Sequence, residues 1–213
     1  MSRVLHLTLR DEEILRALVQ KVRLFSQRQI ADAWWPGQLS NARRRLKRLA
    51  SRELIERLTV QARSLPLLQS PLISWRPGDA APEFGAIAHR CRDRWRLRPV
   101  RPCTAWIASE KGAQAFGGVR RGELKLATQA THDLGVAAVW LRFRQVSPEW
   151  ADAWRSEDLL AHTRRGQKLP DAFLLDSTGQ VIWVLEFGGG YDAARVEAFH
   201  LDCAARSLPY QLW

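Results

Sequence analysis

The chain has 213 residues, 46% of them apolar, and a formal charge of +11. That is enough apolar material for one large domain or two small ones, and no apolar run is long enough to span a bilayer. The N-terminus lacks the basic segment and apolar core of a signal peptide, and Cys91, Cys103 and Cys203 form no CxxC pair. A disulfide framework, a zinc knuckle and membrane association are therefore not expected, and a reducing cytosol is the simplest compartment.

Charge is unevenly placed. Residues 1–110 carry 21 Lys+Arg against 10 Asp+Glu, whereas residues 111–213 carry 12 of each. An anionic partner, most simply double-stranded DNA, is expected on the first half. In chain order, Thr8 with Asp11 three residues on makes a helix start, followed by Leu15, Leu18, Val19 and Val22 at helical spacing. Ser26 with Gln29 repeats the pattern and opens a short helix, Gln27–Ala33, which Trp34-Trp35-Pro36-Gly37 ends. Ser40 is then expected to cap a third helix, Asn41–Ala50, with Ala42, Leu46 and Leu49 as a narrow apolar stripe. A hairpin is expected next, out along Leu54–Val60 and back near Leu72–Trp75.

Three short helices, the third strongly basic, followed by a hairpin predict a winged helix-turn-helix. Its third helix is sized for a major groove. Asn41, Arg44, Arg45 and Arg48 are the expected groove-facing residues, and Arg43, Lys47, Arg52 and Arg57 the expected phosphate contacts. Beyond the connector Arg76–Pro82, Phe84–Trp95 reads as a helix with Phe84, Ile87, Ala88, Cys91 and Trp95 inward and several arginines outward. The prolines of Arg98-Pro-Val-Arg-Pro102 mark a boundary. Residues 1–97 are thus expected to form the DNA-binding domain with a following basic helix, and residues 98–213 a second domain.

In that second part, Thr104–Ala108 reads as a strand and Ser109 as the cap of a helix running to Phe116. Leu134, Ala137, Ala138 and Leu141 lie on one face of a further helix. Ser156–Ala161, LPDAFLLDS and VIWVLEFGG read as three strands, Asp192–Arg206 as a helix and Pro209–Trp213 as a last strand. The turn Ser177–Gln180 pairs the second and third strands antiparallel, which brings Asp171 and Glu186 to one end of a hairpin. Two acids in apolar strands require partners, because an ionised carboxylate is costly to bury alone.

An order of helix, three strands, helix, strand with acids at the strand ends resembles the PD-(D/E)xK nuclease core. Pro170-Asp171 stands for the PD step and Glu186-Phe187-Gly188 for the (D/E)xK step. The resemblance implies that Asp171 and Glu186 hold Mg²⁺ or Mn²⁺ if the centre cleaves, with Glu157 as a third acid and Lys168 or Arg195 steadying phosphate charge. His132-Asp133 is a further polar pair for that centre. Gly188 occupies the lysine position, which argues against cleavage. The expected fold class is therefore α/β (α+β), a winged helix followed by a three-layer PD-(D/E)xK-like domain.

Across nearly the whole chain, LTLRDEEILRALVQ, SNARRRLKRLASRELI, HDLGV, LPDAF, LEFGGGY and PYQLW are similar to the replication-relaxation proteins of plasmids and integrative elements, a group with MobC-like mobilisation proteins. That resemblance implies a double-stranded DNA-binding accessory or regulatory protein of a mobile element, needing no cofactor to bind DNA. A homodimer and other proteins of the element are the implied partners. The alternatives are a metal-dependent DNA endonuclease and a protein-interaction factor in a transfer or replication complex.

Overall fold

The computed structural model describes residues 6–118, 129–157 and 170–213. The chain is mixed α/β, with a three-stranded and a five-stranded sheet among the described residues. No described helix is long and apolar enough to cross a membrane. Two compact units are present, residues 1–62 with 102–137 and residues 63–101 with 138–213. The expected single cut after residue 97 is replaced by this interleaved division. Its cause is local. Val100–Ala108 is one strand, and Pro102 lies beyond the part of it that pairs with the neighbouring strand Leu24–Ser26, where a missing N–H is tolerated.

The first unit opens with α1, Leu9–Arg16. The Thr8 hydroxyl accepts from the Asp11 N–H at 3.3 Å, and the Asp11 carboxylate accepts from the Thr8 N–H at 2.7 Å, so two unpaired helix-end donors are satisfied reciprocally. A π-helical turn, Ala17–Lys21, leads to β1, Leu24–Ser26. Ser26 and Gln29 form the same reciprocal cap on α2, Gln27–Trp34, and the Gln29 amide also donates to the Leu134 carbonyl at 2.8 Å. Gly37, at φ +72°, turns the chain.

Helix α3 runs Leu39–Ala50 and starts earlier than expected. Gln38 rather than Ser40 is its cap residue, and Ser40 lies inside the first turn. Ala42, Leu46 and Leu49 are buried as their spacing predicts. Helix α3 packs on α2, and Ile14, Leu18, Phe25, Ile30 and Trp106 of the same unit are buried as well.

The strand after α3 is β2, Ile55–Arg63. Its hairpin does not return at Leu72–Trp75, as the sequence suggested. It is completed by β4, Val100–Ala108, in a sheet of order β1-β4-β2. β3, Ile73–Trp75, belongs to the second unit and pairs antiparallel with the last strand, β8, Tyr210–Leu212. The reason lies in side-chain packing: Trp75 stacks on Tyr210 at 5.5 Å and meets His200 edge-on at 4.9 Å. Helix α5, Glu110–Ala115, then follows Ser109, whose hydroxyl accepts from the Gly112 N–H as expected.

In the second unit, α4 spans Phe84–Asp93 and buries Ile87, Ala88 and Cys91. The order helix, strands, helix, strand is realised by α6 (Gln129–Val146, whose first part lies in the first unit), α7 (Pro148–Ala153), β5 (Trp154–Ser156), β6 (Ala172–Leu175), β7 (Val181–Glu186), α8 (Ala193–Ala205) and β8. β5 begins before the expected Ser156, and residues 158–161 lie outside the described residues. The sheet order is β3-β8-β7-β6-β5. β5, β6 and β7 are antiparallel neighbours, whereas β7 and β8 are parallel, with α8 as the crossover such a pair requires. Apolar side chains fill both faces of the sheet. Phe173 and Val184 join Cys91, Val196 and Phe199 from α4 and α8, while Trp183 meets Trp150 of α7 at 5.4 Å.

Candidate nucleic-acid interface and paired carboxylates

Burying Ala42, Leu46 and Leu49 forces the basic residues of α3 outward. Arg43, Arg44, Lys47 and Arg48 are all exposed. An open groove of about 740 Å³ runs along the helix, lined by these four with Gln27, Leu39, Ser40 and Ser51. A second concavity lies on the other flank, and Arg44 and Arg48, one turn apart, line both. They therefore crown the helix between two hollows, with Arg43 and Lys47 on one side. The Asn41 amide donates to the Gln38 side-chain oxygen at 2.6 Å, and the Asn41 oxygen accepts from Arg44 Nη2 at 2.9 Å. This chain of bonds limits the rotamer freedom of Arg44.

Arg45 does not share that face. Expected to face a groove, it turns inward, with Nε 2.8 Å from Asp11 Oδ1 and Nη2 2.5 Å from Asp11 Oδ2. Nη2 also donates to the His6 carbonyl at 2.8 Å. Asp11 is fully buried. Burial alone pushes its carboxyl up, but the hydrogen bonds from Arg45 and Thr8 outweigh that, and the carboxyl sits below its usual range. The same pairing raises the Arg45 guanidinium. This is a planar, bidentate clamp between α3 and the first turn of α1. Arg52 is half-buried, and Arg57 is exposed on β2 with Nη2 3.4 Å from the Thr104 hydroxyl.

Asp171 and Glu186 meet at one end of the β6–β7 hairpin, where Ala172 stands opposite Leu185. Each carboxylate reaches across to the other's strand. Asp171 Oδ2 accepts from the Phe187 N–H at 2.6 Å, and Glu186 Oε2 accepts from the Asp171 N–H at 3.0 Å. Glu186 Oε1 accepts from the Tyr191 hydroxyl. Burial, then the neighbouring Glu186 charge, push the Tyr191 phenol well above its ordinary value. The Arg195 guanidinium stands over the Tyr191 ring at 4.1 Å. On the adjoining strand end, the Glu157 N–H donates to the Asp171 carbonyl at 3.2 Å. Tyr191→Phe should leave Glu186, only 6% exposed, short of a donor and lower stability by about 1–3 kcal/mol in urea unfolding.

The lysine position is closed. A Cβ placed on Gly188 would stand 2.9 Å from Cys91 Sγ and 3.3 Å from Leu212 Cδ1. Position 188 thus faces the apolar contact between α4 and β8 rather than the two acids. Gly188→Lys is expected to lower the melting temperature by several degrees and to create no cleavage; a stable, nicking variant would contradict this geometry. Lys168 lies outside the described residues. His132 and Asp133 belong to the first unit, where Asp133 Oδ2 is 3.8 Å from Arg23 Nε. Among the described residues no group of three or more His, Cys, Asp and Glu is placed to hold a metal ion.

Sequence reasoning missed two partners, Asp11 for Arg45 and Tyr191 for Glu186. The second had a signal: a tyrosine five residues after an acid, with three glycines between that let the chain fold back. Comparison with protein families, curated proteins and solved structures gives no match to this chain.

Proposed function

We propose that this chain is a double-stranded DNA-binding accessory or regulatory protein whose first unit is a winged helix. The observation that carries this reading is the exposed, acid-free basic face of α3. Arg43, Arg44, Lys47 and Arg48 have no carboxylate partner among the described residues, and a helix presenting four such cations suits the width and charge of a major groove. The element order α1, β1, α2, α3, β2, β4 supports the winged-helix reading. Arg44 and Arg48 enter the groove, and Arg43 and Lys47 reach phosphates. The resemblance to replication-relaxation and MobC-like proteins suggests a plasmid or other mobile element as the setting, with copies of the chain paired on two-fold sites.

The second unit supports a PD-(D/E)xK-like scaffold in which the two acids brace the hairpin. Their oxygens already accept backbone and tyrosine donors, and Gly188 removes the lysine. A second reading, a Mg²⁺- or Mn²⁺-dependent endonuclease, draws on Asp171, Glu186 and Glu157 lying on adjacent strand ends. One experiment separates the two. The full chain is mixed with supercoiled plasmid and with short duplex and single-stranded DNA, with and without each metal. Retardation of duplex without nicking is the expected result; nicking lost in Asp171→Ala would favour the endonuclease.

A further inference from the structure

The first unit holds a second concave feature, a cleft of about 370 Å³ whose lining includes Arg10, Trp35, Asn41, Arg44 and Arg48. Arg10 comes from α1, outside the basic helix, and is exposed. Its guanidinium carbon stands 4.7 Å from the centroid of the Trp35 ring. That cation–π contact holds the side chain against a wall built by the end of α2. The acid next to it in sequence, Asp11, is fully buried and already clamped by Arg45 and Thr8. Arg10, Arg44 and Arg48 therefore keep their charge unneutralised among the described residues.

The linings of the two concavities sort the cations by position. Arg44 and Arg48 occur in both, Arg43 and Lys47 only in the first, and Arg10 and the Asp11-paired Arg45 only in the second. A helix lying in a major groove has its exposed ridge toward base edges and a sugar–phosphate strand on either flank. We propose that Arg10, seated on Trp35, binds a backbone phosphate of duplex DNA on the flank of α3 opposite Arg43 and Lys47. The helix is then gripped from both sides, and its register in the groove is set by α1 as well as by α3. Trp35 is a positioning residue; Arg10 touches the phosphate, for which a guanidinium fork is well matched. This rests on the DNA-binding reading above.

The test uses the full chain and a mixed-sequence duplex, with affinity followed by fluorescence anisotropy between about 50 and 200 mM salt. Removing one phosphate-binding cation makes the slope of log K against log salt shallower by about 1. Arg10→Gln is expected to bind about 10-fold more weakly at the low-salt end and about 3-fold more weakly at the high-salt end. Arg10→Lys and Trp35→Phe, which keep the charge and the ring, are expected to retain most of the slope. A steep salt dependence in the parent protein with Arg10→Gln unchanged in slope and affinity would overturn the role of Arg10 alone. A parent protein without salt-dependent duplex binding would overturn the DNA-binding reading together with it.

Discussion

Replacing Arg43 and Lys47 together by alanine is expected to weaken duplex binding by roughly 10- to 100-fold at low salt, to a similar extent on every sequence. The salt slope should become shallower by about 2, one for each phosphate no longer neutralised. Replacing Arg44 and Arg48 should act differently, because they crown the helix and line the hollows on both flanks. Loss of a bidentate base interaction costs about 1–3 kcal/mol of discrimination, so the difference between a site selected from random duplexes and mixed-sequence DNA should narrow. Equal effects of the two pairs on slope and discrimination would mean that the face of α3 is not divided between base edges and phosphates in this way.

Arg45→Met is expected to act on stability instead. It leaves the fully buried Asp11 carboxylate without its cation, and breaking a buried pair from one side costs about 3–5 kcal/mol. Adding Asp11→Asn should recover part of that loss, since the stranded charge disappears with it. The pH dependence has a definite sign. In the parent protein the Asp11 carboxyl is held below its ordinary value of 3.8. Its contribution is therefore fully present above that pH and is lost as pH falls through the folded value. In Arg45→Met burial is opposed only by the Thr8 hydrogen bonds, and the carboxyl moves up. The stability gap between parent and variant, read from urea midpoints, should be widest near neutral pH and close as pH falls below 3.8 through the parent's folded value. A gap constant across that range would assign the loss to packing rather than to the ion pair.

Local chemistry made the helices of the first unit legible. The Thr8–Asp11 and Ser26–Gln29 caps span only three residues, and the Ala42, Leu46, Leu49 stripe repeats at helical spacing. The Ser177–Gln180 turn likewise sufficed to place Asp171 beside Glu186. What depended on distant pairing was not readable. β2 takes β4 as its partner across an excursion that contains β3 and α4, and β3 joins β8 at the other end of the chain. Arg45 belonged by charge to the exposed face of α3, yet its partner lies 34 residues away. Gly188 announced a missing lysine, but not that Cys91 of α4 fills the space beside it.

A salt titration of the full chain with duplex DNA tests the central claim most directly. The expected result is a linear fall of log K with log salt, with a slope steep enough for several phosphates and largely abolished when Arg43, Arg44, Lys47 and Arg48 are all replaced by glutamine. Duplex binding that is absent at low salt, or that survives those four replacements with its slope intact, would contradict the assignment of α3 as the DNA-binding helix.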